Sequence, residues 1–248
     1  MSGHSKWSSI KHHKAAVDAK RGKLFSKLIK EITVAARAAG ADTQVNPRLR
    51  SAVLAAKSKN VPNDNIEKAI LRGTGELDGV DYEEILYEGY GPGGVAIMID
   101  VLTDNRNRAI ADVRHILTRH SGSMGERGCV SWLFDKRGWM IIEKGSIDED
   151  ELFMIALDSG AEDLTVQDEH LEIITSLENF EAVREAVEVS GATILEAELT
   201  MLPQNTVKSE GKEAERMLRL MEALEDSDDV QKVYANFDIP DDILEAAA

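Results

Sequence analysis

Cysteine is almost missing from this 248-residue chain: Cys129 stands alone. A single thiol excludes an internal disulfide and a thiolate metal site, and fits a reducing compartment. Aromatic residues make up only 5%, too few for a chain that holds single strands chiefly by base stacking. Long apolar runs are absent too. The stretch 94–99 is strand-sized, far short of the roughly 20 residues that span a bilayer. At the amino end Lys6, Lys11, His12, His13, Lys14 and Asp18 break up any apolar core of an export signal. The expectation is a cytoplasmic protein with no membrane association. His4, His12 and His13 have no carboxylate or thiol at ligand spacing, and no phosphate-cradling loop or catalytic triad pattern emerges, so neither metal nor cofactor is expected.

What the chain does have is charge, sorted by position. Residues 1–72 hold 15 Lys+Arg against 5 Asp+Glu, a balance of +10, and the other 176 residues hold 14 against 40, a balance of −26. Sorting of this kind predicts a cationic end suited to phosphate and an anionic remainder that repels it or meets a protein partner.

Residues 1–20 are polar and basic and read as an arm. Residues 21–76 read as a helical domain. Leu24, Phe25, Leu28, Ile29, Ile32 and Ala36 recur at helical spacing up to Gly40. Asn46-Pro47 then supplies a cap and first-turn proline for a helix burying Leu49, Val53, Leu54 and Ala56. A third helix starts near Val61-Pro62 and ends at Gly73. Strands follow at 85–90 and 95–103 around a glycine-rich turn, then a helix capped by Asp104, a glycine-punctuated loop and a strand at 129–134. Residues 138–202 spell βαββαβ, the ferredoxin-like order. A last helix (209–225) and strand (230–234) would complete the sheet begun at Ile85, so the middle domain is discontinuous (77–137 and 203–237), and an acidic tail (238–248) closes the chain. The fold class expected is therefore α+β in three domains: a three-helix domain and two ferredoxin-like-type α/β domains, one inserted in the other.

The strongest candidate constellation is the arm. Lys6, Trp7, Lys11, His12, His13 and Lys14, continued by Lys20, Arg21 and Lys23, offer cations that reach several phosphates without a preformed groove, with Trp7 and the imidazoles available to stack. Arg48 and Arg50 sit in a first helical turn, where the dipole favours carboxylates. Lys57, Lys59, Lys68 and Arg72 extend this basic set. The GxGxxG spacing of Gly89, Gly91 and Gly94 is followed by a strand rather than a helix, which makes it a hairpin and not a dinucleotide site. Arg108, His115 and Arg119 share a helix face with Asp112, which predicts intrahelical ion pairing. Cys129 reads as a small buried strand residue.

The segments GHSKW (3–7), KAAVDAKRGK (14–23), NPRLR (46–50), RGTG (72–75), YEGYGPGGV (87–95) and TDNRNR (103–108) closely resemble the YebC/PmpR family across essentially the whole chain. The resemblance implies three domains with one inserted in another. It also implies a DNA-binding transcriptional regulator, and relatives are described as ribosome-acting translation factors that relieve stalling on difficult sequences such as proline runs. Where the family often has Lys-His-Arg-Lys, this chain has Lys11-His12-His13-Lys14, which replaces a permanent charge by a residue largely neutral at pH 7.

Taken together, the expected function is non-enzymatic regulation of gene expression through nucleic acid gripped by the basic region. The alternative is a translation factor binding ribosomal RNA or tRNA, and a second alternative is an enzyme centred on Cys129 or Glu88.

Overall fold

The computed structural model describes residues 18–167, 170–240 and 243–244, with side chains from residue 22 onward. They form two compact units. One combines the described residues up to Leu133 with those from Asn205 on, and the other is Phe134–Gln204. Most of the basic arm and the end of the acidic tail lie outside the described residues.

The first unit opens with α1 (Asp18–Ala39), α2 (Pro47–Ser58) and α3 (Asn63–Thr74). Phe25, Leu28, Ile29, Ile32 and Ala36 of α1 pack with Leu49, Val53 and Ala56 of α2 and Ile66, Ala69 and Ile70 of α3. The Asn46 cap works as expected: its Oδ1 accepts the Leu49 N–H at 3.0 Å, while its Nδ2 donates to Ala35 O and Gly40 O. Two expectations need correction. Leu24 and Leu54 are exposed, because each helical residue steps about 100° and Leu54 falls off the line through Leu49, Val53 and Ala56. Gly73 does not end α3. Gly75, at φ +82°, is the left-handed terminator, and Gly73 is instead where α3 and α1 cross. A Cβ there would collide with Thr33 O and Ala36 Cβ.

The same unit continues with β1 (Glu83–Tyr90), a tight 3₁₀ turn (Pro92–Gly94) and β2 (Ala96–Thr103), then α4 (Arg106–Arg119) and β3 (Ser123–Met124). Gly93 and Gly94 take φ of +70° and +77° in the turn, which confirms a hairpin. After the second unit the chain returns through α7 (Gly211–Glu225) to β9 (Val230–Ala235), which pairs antiparallel with β2 and gives the sheet order β3-β1-β2-β9. Short strands β8 (Val207–Lys208) and β10 (Phe237–Asp238) pair in parallel. Ile97, Ile99, Val113, Leu117, Met217, Leu220, Met221, Leu224 and Val233 form the core between this sheet and helices α4 and α7.

The second unit runs β4 (Phe134–Glu143), α5 (Glu149–Asp158), β5 (Ala161–Val166), β6 (His170–Thr175), α6 (Phe180–Val189), β7 (Ile194–Pro203). Its antiparallel sheet has the order β5-β6-β4-β7, the ferredoxin-like arrangement read from the sequence. Met140, Ile142, Leu152, Leu171, Ile173, Phe180, Val183 and Val187 fill its core.

The expected strand at 129–134 is a 3₁₀ turn at Ser131–Leu133, and β4 begins only at Phe134. Glu88 is the reason. Its carboxylate takes the Gly128, Val130 and Ser131 amides at 2.7–2.8 Å, so these N–H groups cannot enter a ladder and the chain curls around the acid.

The crossing at Gly73 yields a stability prediction. Gly73→Ala forces α1 and α3 apart and should cost about 1–3 kcal/mol, whereas Gly40→Ala, with open space around it, suffers only from its positive φ. Urea unfolding of the two variants checks the ranking.

Candidate nucleic-acid interface

Six residues singled out in the arm, Lys6, Trp7, Lys11, His12, His13 and Lys14, lie outside the described residues. Lys20 and Arg21 belong to the first turns of α1, and their side chains are likewise undescribed. The other three are placed, and each is engaged internally.

Lys23, Lys27 and Lys30 recur at spacings of four and three and so share one face of α1. Lys23 Nζ donates to Asp226 O at 2.9 Å, Lys27 Nζ to Glu225 O, and Lys30 Nζ to Asp228 O at 2.9 Å. These carbonyls belong to the end of α7 and the turn after it, where unpaired C=O groups and the negative end of the helix dipole attract cations. Lys30 also meets the Asp229 carboxylate at 3.0 Å. Arg48 holds both Glu31 and Glu84, with contacts of 2.8–3.3 Å, which ties α2 to α1 and β1. Arg50 donates to Thr43 O and Gln44 O in the loop before its own helix. The basic first turn of α2 is therefore answered by neighbouring acceptors.

Asp229 is the centre of this network. It is 6% exposed. Its Oδ1 faces Lys30 and its Oδ2 accepts Arg108 Nε and Nη2 at 3.1 and 2.8 Å. Burial alone would raise its pKa, but the Arg108 and Lys30 bonds outweigh burial and hold the carboxyl below its ordinary value. Two expectations change here. Asn105, not Asp104, caps α4, its side chain accepting the Arg108 N–H at 3.0 Å. Arg108 pairs with Asp104 at 2.6 Å and with Asp229, not with Asp112.

Lys57 and Lys59 at the end of α2, and Lys68 and Arg72 on α3, are exposed with no ion pair among the described residues. They are the unspent charge of the helical region. α2 and α3 are joined by four residues, but Asp64 and Glu67 occupy the early turns of α3, the part of a recognition helix that would enter the groove and meet base edges. Cations placed this way suit contact with backbone phosphate more than base readout.

The open cleft beside this network, lined by Lys23, Arg108, Asp112, His115 and 226–229, contains more carboxylates than cations and is a poor phosphate site. The two residues that carried the enzyme alternative are accounted for. Burial would raise the Glu88 carboxyl, yet its three backbone N–H bonds prevail and lower it, so both oxygens are structurally occupied. Burial and the Glu88 charge push the Cys129 thiol up, away from thiolate. Cys129 is also half-buried in a loop rather than buried in a strand. Among the described residues no group of three or more metal-ligating side chains occurs, and no helix is long and apolar enough to cross a membrane.

Family models described as the TACO1/YebC protein N-terminal domain and the TACO1/YebC second and third domain match residues 5–76 and 82–237. A protein of Desulforapulum autotrophicum named "probable transcriptional regulatory protein" is 60% identical over 99% of this chain and 100% of its own length. One of the same name from Syntrophobacter fumaroxidans is 59% identical over the full length of both. The crystal structure of a conserved hypothetical protein from Aquifex aeolicus superposes with a TM-score of 0.83 at 48% identity, covering 91% of this chain and 93% of that one.

Asp229→Asn removes the charge that Lys30 and Arg108 converge on. Because Arg108 is half-exposed and partly screened, the loss should be about 2 kcal/mol, below the range for a fully buried pair. A carboxyl held below its ordinary value stabilises above the unfolded pKa and loses that contribution as pH falls through the folded one. Wild-type and variant unfolding curves should therefore converge below about pH 4 and separate near neutrality, as urea titrations at several pH values would show.

Proposed function

We propose, from the premise that the chain belongs to the TACO1/YebC family, that it is a non-enzymatic regulator of gene expression that grips nucleic-acid backbone, DNA in the first instance, through its amino-terminal basic region. The names of the relatives support a regulatory role in transcription. The observation that carries the binding mode is the balance left after internal pairing. Lys23, Lys27, Lys30 and Arg48 serve the fold, while Lys57, Lys59, Lys68 and Arg72 remain exposed and unpaired among the described residues. Apart from that balance, and by sequence alone, the segment 1–21, whose side chains lie outside the described residues, carries Lys6, Lys11, Lys14, Lys20 and Arg21 against the single acid Asp18. Cations free of internal partners exchange condensed counterions for phosphate, giving salt-dependent affinity with little sequence information.

The test reverses Lys11, Lys14, Lys20 and Arg21 to Glu and measures affinity for duplex DNA and for ribosomal RNA across salt. If these four side chains neutralise phosphates, the slope of log affinity against log salt should fall by about 3–4 for duplex DNA and affinity should drop at least tenfold. Unchanged binding to both ligands would overturn the proposal. A loss confined to ribosomal RNA, with cosedimentation of the wild type on ribosomes, would move the target from DNA to the translation machinery.

A further inference from the structure

Trp132 is 66% exposed and Tyr90, the last residue of β1, is 39% exposed. Both rings aim their polar edge at one atom. Trp132 Nε1 donates to Cys129 O at 3.1 Å and Tyr90 Oη donates to the same oxygen at 3.3 Å. With those edges satisfied internally, what the pair offers outward is ring surface.

The support beneath is rigid. Glu88 gathers the amides of Gly128, Val130 and Ser131, and Glu88 O accepts the Gly125 N–H at 2.8 Å. A side chain at Gly125 would strike Cys129 Sγ, and one at Gly89 would strike Ser123 O. The support is thus close-packed at Gly125 and Gly89 and hydrogen-bonded through Glu88, which lowers the conformational entropy lost when the rings bind.

The sequence around Trp132 is positively charged. Residues 105–133 hold five arginines against Asp112 and Glu126, although the chain as a whole is acidic. Arg106 and Arg108 are paired, but Arg114, Arg119 and Arg127 are exposed with no ion pair among the described residues. Gly122 leads from the end of α4 into β3, and Ser123 pairs with Tyr90, so the Arg119 end of the helix and the aromatic pair occupy one edge of the sheet. His120 reports the local field: burial and then the charges of Arg119 and Arg219 lower its pKa.

We propose that Tyr90 and Trp132 form a stacking platform for an unpaired base, with the arginines of the flanking segment neutralising the phosphates on either side of it. This rests on the nucleic-acid reading but uses different residues. It narrows the ligand to strands with unpaired nucleotides, because a fully paired duplex offers no free base face in its interior.

The experiment uses the full chain and four labelled probes: an RNA hairpin with a single-stranded loop, the fully paired RNA of the same stem, and the DNA counterparts of both. Trp132→Ala should weaken binding of the hairpins about tenfold while leaving the paired probes unchanged, and Trp132→Phe, which keeps a ring, should recover most of the loss. The RNA and DNA arms identify which nucleic acid supplies the base. Equal hairpin affinities for wild type and Trp132→Ala, or an equal loss on paired and looped probes, would overturn the platform and leave the basic-region proposal standing. Absence of binding to any probe by the wild type would overturn both.

Discussion

The first unit depends on a buried carboxylate. Asp229 stands where β9 begins, its backbone oxygen accepts the Leu102 N–H at the end of β2, and its side chain draws in Lys30 from α1 and Arg108 from α4. One charge so placed joins the helical region to the sheet through residues about two hundred positions apart in the chain. An ionised group this deep is tolerable only because two cations and the polar groups around them replace its lost water. The chain bends to keep it so: α7 ends at Glu225, and the turn behind it points successive carbonyls at Lys27, Lys23 and Lys30.

That arrangement changes the meaning of the charge sorting. Separation along a sequence is not separation in space, because folding can bring a basic amino end against an acidic carboxyl end, and the lysine face of α1 against residues 225–229 does this. Part of the +10 balance of residues 1–72 is therefore cohesion. What remains for a ligand is the set without internal partners, and a sequence does not reveal which lysines those are. The spacing of Lys23, Lys27 and Lys30 was readable, but their acceptors were not, since backbone carbonyls carry no sequence signature.

Local rules were legible where local physics decides. The Asn46-Pro47 helix start, the Gly93-Gly94 turn and the βαββαβ order rest on capping, left-handed glycine and periodicity, and each is present as read. The failures have other causes. Gly73 looked like a terminator because glycine commonly is one, yet its absent side chain serves a helix crossing. Asp104 looked like the cap of α4, but Asn105 beside it has the geometry. The strand expected at 129–134 lost its amides to Glu88, forty residues upstream. In the first and third, tertiary contact overrode or re-used a local preference; between Asp104 and Asn105 the choice is local, made by the side chain that accepts the Arg108 N–H. Tyr90 is legible as part of the glycine-rich turn segment, but its pairing with Trp132 is not, because only the carbonyl of Cys129 brings the two rings together.

An acidic protein that binds a polyanion must solve a problem of range. The unit Phe134–Gln204 carries 18 Asp+Glu against 4 Lys+Arg, a charge that repels phosphate wherever it is unscreened. At physiological ionic strength, repulsion between exposed charges fades beyond about 8 Å, whereas a direct cation-phosphate contact is made within that distance. Weak local binding can thus survive a net charge of −16 if the cations in contact are few, free of internal partners and reachable without bringing the acidic surface close. Salt then acts in two opposing ways, weakening each contact while relieving the long-range repulsion. For such a chain the absolute salt slope reports contacts minus repulsion, and phosphate contacts are counted from the difference in slope between wild type and variant. Stacking on an uncharged ring face is not itself loosened by salt, while the strand that carries the base is still repelled through its phosphates, so added salt would relieve that repulsion without weakening the proposed aromatic contact.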